Sequence, residues 1–254
     1  YHAFTRDQRF AMDVLIVPAS ASLSQDEMNQ VLDFMKQGKP TLVLDDPLNF
    51  AGAPSAGDPM AMMRNPTGHG NVNAFYAELG LSWNTGDLVW DSYNPHSKLR
   101  YLPPEVIFVE PGNGNPEAIS TKSAITSGLS EIAMIAAGRM RATLRDGMTV
   151  VPLLKAGADS GVTTVMEYQG RGARHEPDRD PARGDYMLAA RVTGVAKSAD
   201  PAGKDGTIRA IVVTDMDFIS DNMFDLQRQA HEQLTFDNVT FMLNCVDSLA
   251  GDDS

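Results

Sequence analysis

Three aspartates follow an apolar run late in the chain. The stretch "AIVVTDMDFISDN", residues 210 to 222, sets Asp215, Asp217 and Asp221 beside Ser220 and Asn222. A second pair, Asp45 and Asp46, closes the run "TLVLDDP" of Thr41 to Pro47. Carboxylates in this pattern could do three things. Oxygen-only ligands suit Ca²⁺ or Mg²⁺ rather than zinc. Paired carboxylates can exchange protons as general acid and base. Aspartates that follow strands also accept N–H bonds from adjacent turns and cap helices. This last, structural reading is preferred for Asp45, Asp46, Asp215 and Asp217, with a divalent-ion or sugar site and catalysis as the alternatives. The four are kept as candidate ligand-binding residues, with no catalytic residue, metal or cofactor assigned. Alternate strand residues face opposite ways, so Asp215 and Asp217 share a face only if the strand continues that far.

Other chemistries find little support. The chain has no G-x-S-x-G, H-E-x-x-H or G-x-x-x-x-G-K-[ST] motif, and no G-x-G-x-x-G after a strand. The five histidines, His2, His69, His96, His175 and His231, are scattered over loops and termini and read as surface residues. Cys245 sits inside a late helical pattern rather than before a helix N-terminus that would lower its pKa, so it reads as a small buried apolar side chain. Arg183-Gly184-Asp185 reads as a chance tripeptide. Asn238-Val239-Thr240 is a formal glycosylation sequon, but Asn238 opens a helix and is expected to be its N-cap. The methionines of "PMAMM" read as gap-filling apolar residues.

The elements that must position the aspartates are legible in part. "MDVLIVP", Met12 to Pro18, is a continuous apolar run of strand length, as expected for a strand covered on both faces. Ser24 and Glu27 form a capping box, and Met28, Val31, Leu32 and Met35 give the helix that follows one apolar face. Gly38 and Pro40 end it. With "TLVLDDP" this makes a strand-helix-strand unit, which predicts a right-handed crossover and a parallel sheet. Met12–Pro18, Thr41–Asp45 and Ile208–Thr214 are expected in one mainly parallel sheet, with the Ser24–Gln37 helix packed on it. "NVNAFYAELG" predicts a short helix, and "DLVWD", "EVIFVEP" and "DYMLAARVTGVA" predict strands. Residues 130 to 168 alternate apolar runs with turn residues, including "VTTVMEY", and predict a β-rich portion. Residues 169 to 184 read as a solvated loop, and "NVTFMLNCVDSLAG" as a closing helix.

Composition bounds the class. At 254 residues and 43% hydrophobic, the chain is long enough to bury a sizeable core. Thirty-three acidic against 21 basic residues give a net charge of -12, which disfavours nucleic acid as a partner. One cysteine allows no internal disulfide and no CxxC motif. No stretch approaches the roughly 18 apolar residues of a membrane helix. The chain starts at Tyr1 without a methionine and is read as a soluble fragment of a longer protein.

The order "DVLIVPASASLSQDEMNQVLDFMKQGKPTLVLDDP", "ISTKSAITSGLSEIAMIAAG", "VVPLLKAGADS" and "IVVTDMDFISDN…NVTFMLNCVDSLAG" resembles the soluble domain of GldG-type auxiliary proteins of ABC transporters, the gliding-motility family. It departs from the family pattern at Gly38-Lys39-Pro40, where a Gly-Gly pair is common, and in a longer insert at 169 to 184. The resemblance implies one α/β domain over residues 1–254, a mainly parallel sheet flanked by helices, class I glutamine amidotransferase-like (flavodoxin-like) but without the nucleophile. Irregular or β-rich insertions are expected around 49–71 and 130–206. It also implies a non-enzymatic accessory role, held periplasmically by inner-membrane helices outside this fragment, beside permease and ATPase subunits. A partner protein, or a polymer or sugar, is the expected ligand. The alternative is a hydrolase of the same fold using carboxylates at strand ends.

Overall fold

Apolar runs that end abruptly in proline or aspartate become short buried strands here. In the computed structural model, which describes residues 13–48, 50, 69–143, 145–170, 186–196, 205–229 and 234–251, β1 (Leu15–Pro18) leads into helix α1 (Gln25–Lys36) and β2 (Thr41–Leu44). The capping box forms as its residue types require: the Glu27 N–H donates to Ser24 Oγ and the Ser24 N–H donates to Glu27 Oε2. α1 buries Met28, Leu32, Phe34 and Met35. Helix α2 (Val72–Glu78), capped by the Asn71 side chain accepting from the Ala74 N–H, precedes β3 (Leu81–Asp91). Next come β4 (Val106–Val109), β5 (Ile132–Ile135), β6 (Gly138–Ala142), β7 (Met148–Lys155), β8 (Ser160–Thr164) and the short helix α3 (Val165–Gly170). β9 (Met187–Ala196), β10 (Gly206–Val213), α4 (Asp221–Gln229) and α5 (Asn238–Ala250) complete the described elements.

The three strands expected together are neighbours. β1 pairs with β2 in parallel (Leu15 with Thr41), and β2 pairs with β10 in parallel (Thr41 with Ala210). The sheet as a whole is not mainly parallel, however, and the flavodoxin-like, amidotransferase-like expectation is corrected. The eight-stranded sheet runs β1-β2-β10-β9-β6-β3-β8, with β7 also on β9, and every pairing beyond β10 is antiparallel. β4 and β5 form a separate antiparallel pair. Both faces of the β2–β10 region are covered. Val43, Ala210 and Val212 pack with α1 and with Phe75, Tyr76 and Leu79 around α2. Leu42, Leu44, Ile211 and Val213 pack on the other side with Phe241, Cys245 and Leu249 of α5. Burial on both faces makes an antiparallel strand as continuously apolar as a parallel one, so the pattern that predicts burial says nothing about direction.

Two further expectations change. Val165–Gly170, the end of the "VTTVMEY" run, is helical. Asn238 is the first residue of α5, whose N-cap is Asp237. Residues 171–185, with His175 and the RGD tripeptide, lie outside the described residues, as do His2, His231, Met12 and the "PMAMM" methionines.

Candidate functional site

The candidate aspartates sit at the carboxyl ends of β2 and β10, and strand alternation decides how they sort. Leu42 and Leu44 face the α5 side while Val43 faces the α1 side. Asp45, in register with Val43, therefore points away from Asp46. It is fully buried on the α1 side, where the Tyr76 hydroxyl donates to its Oδ2 at 2.6 Å and Ser20 Oγ donates to the same oxygen. Burial, opposed by these hydrogen bonds, raises the Asp45 carboxyl to about 6.

Asp46, Asp215 and Asp217 come together on the opposite side, each offering a carboxylate oxygen within 4.8 Å of the others. β10 ends at Val213, so it is a turn rather than a continued strand that brings Asp217 to Asp215. The turn is anchored by Thr214, whose Oγ1 donates to the carbonyls of Gly138 (2.7 Å) and Leu188 (2.9 Å). Asp215 accepts the Ile135 N–H at 2.7 Å and the Phe218 N–H at 3.1 Å. Asp46 accepts the Leu48 N–H at 2.8 Å and the Met216 N–H at 3.2 Å. Asp217 accepts the Phe50 N–H at 2.7 Å. All three are at most 2% exposed. Asp221 is outside this group: it begins α4 at the surface, while Ser220 Oγ accepts the Met223 N–H at 3.4 Å.

Electrostatics follow from that packing. Burial raises the Asp46 carboxyl well above its usual range, and the charges of Asp215 and Asp217 raise it further. Asp215 is raised by burial and then by Asp217, against the pull of its backbone donors. Three buried carboxylates at this separation cannot all be ionised without a compensating cation, so the group either retains protons or holds a hard ion through oxygen. The donor set fits Ca²⁺ or Mg²⁺ chemically. Each carboxylate is nonetheless already engaged by backbone N–H groups that stitch the 46–50, 134–135 and 215–218 segments together.

The partners of these aspartates were not readable from sequence. Ser20 and Tyr76 meet Asp45 only through the fold, and no local spacing signals them. The same holds for Asn238, whose Nδ2 donates to the carbonyls of Ala133 (2.8 Å) and Phe218 (2.6 Å) while its Oδ1 accepts the Ala133 N–H at 3.0 Å. That buried amide locks α5 to β5 and to the aspartate turn. Cys245 is 1% exposed on α5, and burial pushes its thiol pKa far up. Among the histidines, His96 is not a surface residue: its ring meets Glu131 at 2.6 Å and packs against Phe108 and Phe236.

No described helix is long and apolar enough to cross a membrane. Comparison with curated proteins finds no match. A model of the family described as "ABC-type uncharacterized transport system", the auxiliary component of such systems, matches residues 6–245. That span takes in all ten described strands, both aspartate pairs and the first part of α5, and on it the chain belongs to this family of ABC transport auxiliary components.

Proposed function

We propose that the chain is a non-enzymatic accessory domain of the GldG type, working outside the cytoplasm beside the permease and ATPase subunits and binding a partner protein or a polymer or sugar ligand. One observation carries the non-catalytic part: Asp45, Asp46, Asp215 and Asp217 are at most 2% exposed, and all accept hydrogen bonds from the protein. A general acid or base must reach the proton it transfers, and these carboxyls do not face solvent. Cys245 is equally enclosed. Membership of an ABC auxiliary family supports the transport role.

A carboxylate hydrolase is the second reading. It is favoured by the Asp45 carboxyl at about 6 and by the raised carboxyls of Asp46 and Asp215, since an acid catalyst needs such a shift. Burial is the ordinary source of the same shift in a structural carboxylate.

Co-purification from native membranes after mild cross-linking tests the proposal, with protease added to intact spheroplasts as the second arm. Recovery of a permease and an ATPase with the protein, and cleavage of this domain without lysis, is the expected result. Fractionation free of both subunits, or cleavage only after lysis, overturns it.

A further inference from the structure

The sheet face on the α5 side is covered over part of its length only. Residues alternate along β9 and β10, and Ala190, Val192, Ile208 and Ala210 fill the core on the α1 side. Their neighbours therefore face the α5 side. There Ile211 is buried with Phe241 and Leu249 of α5, but the positions toward the end of β9 and the start of β10 are open. Arg191, Thr207 and Arg209 are exposed, and so is Val195. The strand register makes these residues one array. Thr193 stands opposite Arg209 on one side and the exposed Thr149 of β7 on the other, with Arg191 one step along β9 on the same face. Arg191 and Arg209 are thus diagonal neighbours, about 7 to 8 Å apart, with Thr193 beside both. Arg139, Arg145 and Arg228 are each paired with a carboxylate. No described carboxylate forms an ion pair with Arg191 or Arg209; Arg209 Nη2 donates to the Leu249 carbonyl at the end of α5 at 3.3 Å.

We propose that this open face of β7, β9 and β10 binds an acidic polysaccharide, whose carboxylates are taken by Arg191 and Arg209 and whose hydroxyls are taken by Thr149, Thr193 and Thr207. The inference rests on the polymer-binding form of the accessory role and gives that ligand a chemical class and a place. A guanidinium holds a carboxylate through paired N–H donors, and a threonine hydroxyl both donates and accepts, as a sugar hydroxyl requires. A protein partner would need a large apolar anchor at the centre of the contact. Val195, 43% exposed, is the one large exposed apolar side chain described on this face. Duplex DNA carries a charge every 1.7 Å or so, far denser than two arginines can match. The net charge of -12 does not forbid an anionic ligand here. Charges farther than about 8 Å are largely screened at physiological salt, and none of the strand residues on this face is acidic.

Isothermal titration of the intact chain tests this with three probes: oligogalacturonate, its carboxyl-reduced neutral form, and oligoglutamate of the same charge. Oligogalacturonate is expected to bind, with the neutral form at least about tenfold weaker, the effect of losing one charge-assisted hydrogen bond. Arg191→Gln and Arg209→Gln should each weaken binding about tenfold and lower the slope of log K against log salt by about one. Thr193→Val, of the same shape, should weaken binding and leave that slope unchanged. Arg209→Gln also loses the bond to Leu249, so Arg191→Gln decides the matter if the Arg209 variant does not fold. No binding of oligogalacturonate, equal or tighter binding of oligoglutamate, or full affinity in Arg191→Gln overturns the proposal. If it falls while permease and ATPase subunits still co-purify with the chain, the accessory role stands without this face; if they too are missing, the role falls with it.

Discussion

Asp215 accepts two backbone N–H groups, that of the partly buried Ile135 and that of the buried Phe218. Replacing it by alanine orphans both donors, and Asp215→Ala should lower stability by about 1 to 3 kcal/mol in denaturant unfolding. Asp215→Asn keeps one acceptor and should cost less. Because Asp46, Asp215 and Asp217 are already tied to backbone, millimolar Ca²⁺ or Mg²⁺ should leave the thermal midpoint unchanged beyond ionic-strength effects. A filled ion site would add about 2.7 kcal/mol at a hundredfold excess over Kd, so a saturable rise abolished by Asp215→Asn would contradict the structural reading. The pH response has a defined sign. Asp45 and Asp91 have carboxyls raised to about 6, above the unfolded value of about 4, so the folded state binds the extra protons. The stability they contribute is complete below about pH 4 and is lost as pH rises through about 6. The thermal midpoint should therefore climb as pH falls from about 7 to about 5, and Asp91→Asn should flatten part of that climb in a buffer scan. At this scale the sequence identified the aspartates, because a polar residue closing an apolar run is a local signal. It could not identify Tyr76, Ser20 or Asn238 as their supports, because those contacts join residues from distant segments.

Helices carry clear local punctuation, and the first one was legible in detail. Ser24 with Glu27, the apolar stripe and Gly38 all act within a few residues of one another. Val165–Gly170 is helical although its β-branched lead-in, "VTTV", reads as strand: the boundary is marked by a capping pair inside that run, in which the Glu167 N–H donates to Thr164 Oγ1 and the Thr164 N–H donates to Glu167 Oε2. Asp237 rather than Asn238 is the cap of α5: two preferred capping types stand side by side in the sequence, and only the third dimension commits the Asn238 amide to Ala133 and Phe218. On α5, Cys245 faces the core together with Phe241 and Leu249, one turn before it and one after. A thiol reagent should label it slowly in the native chain and at full rate after denaturation. Fast native labelling would mean that α5 does not stay packed on the sheet.

Across the whole molecule, burial is legible in the sequence, while strand direction is legible for β1, β2 and β10 and not for the antiparallel strands beyond them. "MLAA" in β9 and "AIVV" in β10 are apolar throughout because both of their faces are buried, and this produces the composition of a parallel sheet in two strands that pair antiparallel. The parallel pairing of β2 with β10 also has a consequence for how the chain is made. Thr41 and Ala210 stand opposite each other on paired strands, yet most of the sequence separates them. At a synthesis rate of about 5 to 20 residues per second, β2 leaves the ribosome on the order of ten seconds before its central partner exists. For that interval an apolar strand with an unpaired edge stands open to other chains, and its protection depends on whatever holds nascent polypeptides apart. A chain truncated before Gly206 would be fixed in that condition, and it should show no cooperative unfolding transition by circular dichroism.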